Sequence, residues 1–396
     1  MIAAAELALV LVALPGVPAA AYLLLATVLS ARPHPPDASL RRTRFDVFVP
    51  AHNEVPVIQR VVASLQRLDW PADRFRIIVI ADNCTDATAA LARAAGAEVL
   101  ERHDLTHRGK GYALAYAFER SAALAWADAV VVIDADAEVS PNLLEAFAAR
   151  IERGAPAVQA HYGVLNPMAS WRTRLMTIAT AAFHIVRSRA RERLGVSCGI
   201  RGNGWCVTHR LLQRVPYRAY SLAEDLEYGI EIGMAGLRVH YADEAHSNAD
   251  MVSSEQIANK QRQRWEQGRF QLIRTMTPRL LGAAFARRSA VCLDLALDLL
   301  VLPLSYVALS VGALLALAAG LSLWDALFLP WLMIGLAAAA AIATYVLRGW
   351  QLSGVGARGL ADLARAPLFL LWKIVLMLKR GSSDEWIRTE REKPSD

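Results

Sequence analysis

The sequence has little cysteine and lacks the patterns of several protein classes. Four cysteines occur in 396 residues and none forms a Cys-x-x-Cys pair, so neither a structural zinc site nor a disulfide-dense scaffold is expected. Repeats and low-complexity tracts are also missing, and with 55% hydrophobic residues the composition excludes disordered and collagen-like chains. No basic stripe carries interleaved aromatic residues, so a nucleic-acid partner is not expected despite the net charge of +6.

Charge is absent from three long stretches, which locates a membrane. Residues 7–30, 299–324 and 326–347 contain no Asp, Glu, Lys or Arg, and each is long enough to cross a hydrocarbon core about 30 Å thick as a helix. The first stretch is preceded by Glu6 and by no basic residue, and it is longer than the apolar part of a signal peptide. We therefore interpret it as a retained anchor rather than a cleaved signal peptide.

The charges around these stretches predict their orientation. Basic residues follow the first and third stretches, whereas Asp325 alone separates the second from the third. The excess of basic residues on the cytoplasmic side of membrane proteins predicts a multi-pass protein of a bacterial-type inner (plasma) membrane, with its large polar region in the cytoplasm and in contact with membrane lipid. Residues 366–378 are apolar but short and predict a helix lying in the interface, with a fourth crossing as the alternative.

Between the apolar ends, short apolar runs alternate with segments of helical spacing. Strands are predicted at 45–50, 75–81, 97–100 and 129–134, and helices at 55–68, 86–95 and 111–125. This alternation predicts an α/β fold with a mostly parallel sheet covered by helices on both faces. We divide the chain into an anchor and linker (1–40), an α/β domain ending in an interfacial helix (41–280), and a transmembrane hairpin with an interfacial helix and tail (281–396).

Acidic and amide side chains follow the predicted strands. Asn53 and Glu54 follow the first, Asp82 ends the second, and Asp134 and Asp136 end the fourth. Ligands of such sheets bind beyond the carboxyl ends of the strands, and crowded carboxylates repel each other unless a cation or hydrogen-bond donors neutralise them. Because side chains at i and i+2 of a strand share a direction, the last two acids form a suitable pair for a hard divalent cation.

Two polar residues near this edge have two interpretations each. Asp86 is expected to cap the following helix, with a role at the site as the alternative. Lys110 stands between Gly109 and Gly111 at a helix start. An ammonium and helix amides there favour a phosphate, and the alternative is a solvated loop lysine.

Seven short motifs occur in order along more than half of the chain. They are PAHNE (50–54), DNCTD (82–86), RGKGYAL (108–114), DAD (134–136), GNGW (202–205), ED (224–225) and QRQRW (261–265). Together they resemble those of membrane-bound family 2 glycosyltransferases with the GT-A fold, such as cellulose, chitin, hyaluronan and poly-N-acetylglucosamine synthases and ceramide glucosyltransferases. The resemblance implies a Rossmann-like cytoplasmic GT-A domain attached to transmembrane helices, and an inverting hexosyltransferase activity.

The resemblance also implies roles for individual residues. Asp225 is the expected general base, supported by Glu224, and Asp136 with Asp134 is expected to bind Mg²⁺ or Mn²⁺. The expected donor-binding residues are Pro50, Asn53, Glu54, Asp82, Lys110 and Asp134, of which Asp82 is expected to contact the nucleotide base. The residues expected at the acceptor and diphosphate are Gly202, Asn203, Trp205, Gln261, Arg264 and Trp265.

The last two motifs of the acceptor set also have structural interpretations. Gln261, Arg264 and Trp265 share one helix face, on which Arg264 can bond a diphosphate bidentately and Trp265 can stack on an acceptor sugar. The alternative is an amphipathic helix that meets lipid headgroups. The glycines of GNGW either shape a turn or let the backbone approach an acceptor sugar over which Trp205 packs.

Three membrane crossings are few for a polymer channel, and this favours the transfer of one or a few sugars over polymerisation. We expect transfer of one sugar, or a few, from a nucleotide-sugar such as a UDP-sugar to a lipid-linked or membrane-held saccharide acceptor in cell-surface polysaccharide biosynthesis. The alternatives are a processive synthase, which would need a partner subunit, a homo-oligomer or the fourth crossing, and a ceramide-type lipid glucosyltransferase. A transporter is disfavoured because the spans carry no charge, and a non-catalytic scaffold because Asp136 and Asp225 are present.

Overall fold

The computed structural model describes the backbone of residues 2–251 and 255–365, and the side chains of these residues except 255–265. The described residues form two compact units. The sheet unit consists of Arg32–Pro167 and Arg191–Leu295, and the helical unit of residues 2–31, Met168–Ala190 and residues 296–365. The predicted interfacial helix at 366–378 lies outside the described residues.

Strands and helices alternate through the sheet unit, and helices alone form the helical unit. The strands are β1 (Phe45–Ala51), β2 (Phe75–Asp82), β3 (Glu98–Arg102), β4 (Ala129–Val132), β5 (Ala137–Val139), β6 (Ala157–Val164), β7 (Trp205–Thr208) and β8 (Val239–Ala249). The helices are α1 (Ile2–Ala13), α2 (Val17–Val28), α3 (Ile58–Gln66), α4 (Thr88–Ala94), α5 (Lys110–Leu124), α6 (Leu143–Ile151), α7 (Trp171–Ala181), α8 (Arg187–Arg193), α9 (His209–Arg214), α10 (Glu224–Met234), α11 (Glu255–Arg287), α12 (Ala290–Leu300), α13 (Leu304–Trp324), α14 (Leu329–Ser353) and α15 (Gly356–Leu363). A π-helical turn, Ala182–Val186, joins α7 to α8.

The eight strands form one sheet in the order β3-β2-β1-β4-β7-β6-β8-β5. Strands β3, β2, β1 and β4 run parallel to one another. Beyond β4, strand β7 runs antiparallel to both of its neighbours, β8 is parallel to β6, and β5 is antiparallel to β8. The predicted mostly parallel sheet with flanking helices is confirmed, and the antiparallel strands beyond β4 are an addition that the sequence patterns did not predict.

The central strands are apolar throughout because both faces of the sheet are covered. In β4, Val131 packs into the core on one face, while Val130 and Val132 pack into the core on the other. Phe118 of α5 lies in the second of these cores, and its ring is 5.9 Å from that of Phe48 in β1. Continuous apolar runs of this kind are typical of parallel strands buried on both faces.

One buried carboxylate interrupts the apolar pattern of β1. The side chain of Asp46 is fully buried and accepts two hydrogen bonds from the guanidinium of Arg76 on β2, at 2.8 and 2.9 Å. Ser121 on α5 donates a third bond, at 2.5 Å. Because every bond to this carboxylate comes from a neighbouring element, the group ties β1, β2 and α5 together.

Replacing Asp46 by asparagine is expected to destabilise the sheet unit. Removal of one partner of a buried ion pair costs about 3–5 kcal/mol, and about 2–4 °C of unfolding temperature is lost per kcal/mol in a domain of about this size. Thermal unfolding of the full chain in detergent, followed by tryptophan fluorescence, should therefore show a midpoint lower by about 10 °C. The control is Asp73→Asn at an exposed carboxylate, and equal midpoints for the two variants would contradict the argument.

Two helices of the helical unit are long and apolar enough to cross a membrane. They are α13 (Leu304–Trp324) and the segment Ala326–Ser353, which contains α14. Asp325 separates them and accepts a hydrogen bond from the backbone N–H of Leu327 at 2.9 Å. A Cβ on Gly335 would lie 2.8 Å from Leu315, so the two helices approach closely at this glycine. The predicted apolar hairpin helices are confirmed.

The predicted single anchor helix at residues 7–30 is divided in the structure. Helices α1 and α2 meet at an angle of 40°, so together they form either one broken span or a re-entrant loop. Pro15 cannot donate a backbone hydrogen bond, and Ser310 of α13 donates to the carbonyl oxygen of Val12 at 2.6 Å. A neighbouring hydroxyl therefore satisfies a carbonyl beside the break, which makes the interruption tolerable in an apolar environment.

Candidate functional site

The candidate site lies at the carboxyl ends of the central parallel strands. The chain proceeds outward from β1 to β2 and β3 and then returns to β4 on the other side of β1. Open α/β sheets bind ligands in the crevice at such a reversal of strand order. The predicted residues that follow these strands are Asn53, Glu54, Asp82 and Asp134.

Lys110, the first residue of α5, connects the groups of this crevice. Its Nζ donates to Asp134 Oδ1 at 2.6 Å and to the carbonyl oxygen of Gly202 at 2.8 Å, and it lies 3.7 Å from Glu224 Oε1. Burial lowers the pKa of the ammonium, but the carboxylates of Asp134, Glu224 and Asp225 together outweigh burial and raise this pKa above its usual value. Lys110 is therefore a fixed cation, and a solvated loop lysine does not fit these contacts.

Glu224 and Asp225 are the first two residues of α10. Burial raises the pKa of Glu224 to about 7, with Lys110 opposing and Asp225 adding to the rise. Burial likewise raises the pKa of Asp225, and Lys110 again opposes the rise. One ammonium thus faces three carboxylates, counting Asp134, and the site holds more negative charge than Lys110 alone neutralises.

The DAD motif lies in a turn and not in a strand. Strand β4 ends at Val132, and the backbone N–H of Ala137 donates to the carbonyl oxygen of Asp134 at 3.1 Å. The argument from strand alternation for a shared direction of Asp134 and Asp136 is therefore wrong. The turn is held by Arg60 of α3, which donates to the carbonyl oxygen of Asp136 at 3.0 Å and forms an ion pair with Asp250 at the end of β8.

The oxygen donors of this turn fit a hard divalent cation that also binds a substrate. Among the described residues, no three His, Cys, Asp or Glu side chains converge on one point as a self-sufficient metal cage would require. Mg²⁺ is commonly bound by one or two carboxylates with substrate phosphates completing its shell. Asp134, Asp136 and the excess negative charge beside them fit that second kind of site.

Asp82, predicted to contact a nucleotide base, is held by the neighbouring strand. Its Oδ1 accepts a hydrogen bond from Arg102 Nη1 at 2.7 Å and one from Asn83 Nδ2 at 3.2 Å. Arg102 also bonds Asp104 at 3.0 Å, so the ends of β2 and β3 form one polar network. The contact of Asp82 with the nucleotide base stays a prediction. The bond between Asp82 and Arg102 was not predicted from the sequence.

Three further residues of the predicted donor set lie in β1 or just after it. Pro50 is paired with Ile80 of β2, at the part of β1 beyond the last pair with β4, where a missing N–H is tolerated. Asn53 adopts a left-handed conformation with φ 57°, and its side chain accepts from the N–H of Thr85 at 2.8 Å. The N–H of Glu54 donates to Thr88 at 2.8 Å. These bonds join the segment after β1 to the segment after β2. The side chain of Asp86 also accepts from the N–H of Thr88, the first residue of α4, at 3.0 Å, but the N-cap position itself is occupied by Ala87 and not by Asp86 as predicted.

The GNGW segment holds residues of the site in position through its hydrogen bonds. Gly202 and Gly204 have φ values of +78° and +71°, which glycine adopts readily. Asn203 is fully buried, and its Oδ1 accepts from the backbone N–H of Asp134 at 3.0 Å. Asn203 therefore positions Asp134, which corrects its predicted contact with an acceptor or diphosphate.

Trp205 does not face the site. Its side chain is 1% exposed and packs among aromatic rings of the core, with Phe118, Tyr217 and Tyr228 at centroid distances of 6.0, 6.5 and 6.3 Å. An indole enclosed in this way cannot cover an acceptor sugar. The predicted stacking role of Trp205 is corrected to core packing.

The closing motif lies in α11. The backbone at Gln261, Arg264 and Trp265 is helical, as predicted, whereas their side chains lie outside the described residues. Their expected roles at the diphosphate and the acceptor therefore stay predictions.

Three residues near the site belong to no recognised motif. Besides Arg60, they are Gln159 and Tyr162 of β6. Gln159 is 1% exposed, accepts from the N–H of Arg201 at 2.8 Å and donates to the carbonyl oxygen of Asn203 at 2.7 Å. The sequence does contain a signal for Gln159. A glutamine isolated in an apolar strand indicates a buried amide, which needs hydrogen-bond partners.

Comparisons with known proteins identify the fold. The backbone is similar to that of a mannosyltransferase from Pyrobaculum calidifontis, PcManGT, described in complex with GDP-Man and Mn²⁺. The TM-score is 0.53 at 20% sequence identity, covering 87% of this chain and 98% of that one. The similarity confirms the predicted GT-A fold.

Sequence relatives point to the same family. The chain is 25% identical over 240 residues to a probable glycosyltransferase, YdaM, of Bacillus subtilis, covering 57% of this chain and 55% of that protein. It is 27% identical over 232 residues to a beta-monoglucosyldiacylglycerol synthase of Synechocystis, covering 57% of this chain and 47% of that protein. It is 26% identical over 245 residues to an N-acetylglucosaminyltransferase of Rhizobium leguminosarum, covering 57% of this chain and 55% of that protein. The chain spans about half the length of the curated relatives it matches.

The family described as glycosyltransferase like family 2 matches residues 43–268. These residues run from just before β1 to just beyond the QRQRW motif. Because the match covers more than half of the chain, the protein belongs to glycosyltransferase like family 2.

Proposed function

We propose that this family 2 glycosyltransferase catalyses an inverting, metal-dependent transfer of a hexose from a UDP-sugar to a lipid-linked or membrane-held saccharide during cell-surface polysaccharide assembly. The observation that carries the proposal is the cluster in which Lys110 joins Asp134, Gly202 and Glu224 beside Asp225. The cluster lies where an α/β sheet of this topology binds its ligand.

The donor side of the cluster is suited to a diphosphate. Lys110 stays protonated and lies at the amino-terminal end of α5, where helix amides also favour an anion. Asp134 and Asp136 would hold Mg²⁺ or Mn²⁺, which would neutralise the charge that develops on the leaving nucleoside diphosphate. Arg264 is proposed to contribute a bidentate guanidinium to the same diphosphate.

On the acceptor side, Asp225 is proposed as the general base. Its carboxylate accepts the proton of the acceptor hydroxyl as that oxygen forms a bond to the anomeric carbon. The bond from that carbon to the phosphate oxygen breaks, and the electron pair leaves with the diphosphate. Attack in line with the leaving group inverts the configuration, so an α-linked donor gives a β-linked product. Glu224 supports Asp225 by sharing Lys110 with it.

The names of the relatives give a transferred amino sugar in one case and a lipid product in two. The Rhizobium relative is an N-acetylglucosaminyltransferase, and the Synechocystis and Nostoc relatives are beta-monoglucosyldiacylglycerol synthases. The second candidate is therefore transfer of a sugar directly to a membrane lipid such as diacylglycerol. Processive synthesis is less favoured, because two or three spans among the described residues are few for a polymer channel.

The apolar helices support a membrane location for either reaction. We propose that α13 and α14 span a bacterial inner membrane and that the sheet unit lies on its cytoplasmic side. The basic residues of the linker after α2 and those after α14 support this orientation.

The test is nucleotide release from a panel of UDP- and GDP-sugars by the full chain in lipid nanodiscs. With Mn²⁺ or Mg²⁺ present, we expect release from one UDP-sugar to rise when a lipid-linked saccharide is added. A rise with diacylglycerol alone would support the second candidate instead. If no donor in the panel releases its nucleotide, both candidate functions are contradicted.

A further inference from the structure

Strand β6 turns an aromatic side chain toward the candidate base. The register of β6 against β8 shifts between Ala160 and His161, and irregularities of this kind re-aim side chains next to active sites. Two residues beyond Ala160 lies Tyr162, which is partly buried and packs against the core of the sheet unit. None of the seven motifs includes Tyr162, and neither the donor set nor the acceptor set predicted it.

Gly202 separates the ring of Tyr162 from the carboxylate of Asp225. A Cβ built on Gly202 would lie 3.7 Å from Asp225 Oδ2 and 3.7 Å from Tyr162 Cε1. Both distances are ordinary van der Waals contacts, so a methyl group would fill this space without displacing either neighbour. The glycine thus keeps open a gap bounded by an aromatic ring and a carboxylate.

The two sides of Gly202 face different chemistry. Its carbonyl oxygen accepts the hydrogen bond from Lys110 at 2.8 Å, which is the side proposed for the diphosphate. Its Cβ direction points to Asp225 and Tyr162, which is the side proposed for the acceptor hydroxyl. The gap therefore belongs to the acceptor half of the site.

We propose that Tyr162 is a stacking platform for the acceptor, in addition to the one predicted at Trp265, and that the acceptor group bound here is a sugar ring. This inference rests on the proposed function, in which Asp225 takes the proton of an acceptor hydroxyl. A pyranose has an apolar face that packs on an aromatic ring while its hydroxyls point outward. One ring stacked on Tyr162 would direct a hydroxyl across the gap to Asp225. The role that the motif pattern predicted for Trp205 thus passes to Tyr162.

The first test compares two glycine substitutions by calorimetry. Gly202→Ala places a methyl group in the gap, and Gly195→Ala imposes similar backbone strain at φ +70° with no atom within 4 Å of the new methyl. The ligands are cellotriose and chitotriose, titrated into the full chain with UDP and Mn²⁺. We expect Gly202→Ala to weaken trisaccharide binding about tenfold more than Gly195→Ala does. Equal trisaccharide binding in the two variants would overturn the proposal.

The second test changes the ring itself. Tyr162→Phe keeps a flat ring and should bind the trisaccharide about as well as the wild type. Tyr162→Leu removes the ring and should weaken binding about tenfold, which corresponds to the worth of one aromatic contact. Thermal unfolding of each variant identifies a loss of folding. If Tyr162→Leu does not fold, the comparison of trisaccharide binding is made between Tyr162→Phe and the wild type.

Donor hydrolysis without acceptor separates this inference from the proposed function. If Tyr162→Leu lowers hydrolysis of the UDP-sugar as much as trisaccharide binding, the ring serves the donor and the inference is overturned. A wild-type protein that binds neither trisaccharide also overturns it, whereas nucleotide release would still support the proposed transfer. If none of the nucleotide-sugars releases its nucleotide, the proposed function itself is rejected.

Discussion

Replacing Asp225 by asparagine is expected to abolish most transfer while leaving donor binding intact. The amide of the Asp225→Asn variant keeps the shape of the side chain but cannot accept the proton of the acceptor hydroxyl, and a positioned general base contributes about 10²–10⁴-fold to a rate. Transfer should therefore fall by about that factor, measured as product formed from the UDP-sugar that the panel identifies. Calorimetric titration with UDP should give the wild-type affinity, because the diphosphate is assigned to Lys110, Arg264 and the metal.

The control for this variant lies on the same helix. Glu231 of α10 forms a surface ion pair with Arg279 at 3.5 Å, and Glu231→Gln should leave transfer unchanged because surface pairs contribute little to stability. Glu224→Gln should lower transfer less than Asp225→Asn, since Glu224 is proposed to act only through its contact with Lys110. Normal turnover by Asp225→Asn would refute the assignment of the base, and an equal loss in Glu231→Gln would indicate damage to α10 rather than to catalysis.

The strands and the polar residues after them were predictable because their signals are local. The apolar runs that became β1, β2 and β4 are short, continuous and bounded by polar residues, which is how a strand buried on both faces reads. Parallel strands bring their carboxyl ends to one edge, so the position of Asp82 and Asp134 followed from the topology. Lys110 was expected at a helix start facing an anion, and its partner is a carboxylate of the same edge.

The contacts that complete the site were not predictable because they join distant parts of the chain. Arg60 holds the DAD turn from 76 residues away, and Lys110 bonds Gly202 from 92 residues away. No local pattern predicts which partner a side chain meets across such a separation. Trp205 was misplaced for the same reason: a tryptophan after two glycines is equally compatible with a site and with a core, and only the aromatic neighbours decide.

The helical unit has a similar limit. Apolar runs predicted α13 and α14 because hydropathy alone is sufficient there. Residues 168–190 carry many polar and charged side chains, yet they belong to the helical unit. The break between α1 and α2 is tolerated because Ser310, nearly 300 residues later, bonds the Val12 carbonyl. Such compensation is visible only once the helices are packed.

Replacing Asp136 by asparagine is expected to remove both metal binding and transfer. The ammonium of Lys110 faces the carboxyl groups of Asp134, Glu224 and Asp225, Asp136 follows Asp134 in the same turn, and the proposed divalent cation would supply further positive charge there. Loss of a metal that stabilises a leaving diphosphate removes several kcal/mol, or about 10³-fold in rate. Mn²⁺ binding by electron paramagnetic resonance should weaken in parallel, and chelator should abolish wild-type transfer. Asp73→Asn, at an exposed carboxylate, is the control and should leave Mn²⁺ binding unchanged. Full activity in chelator would refute the metal role of Asp136.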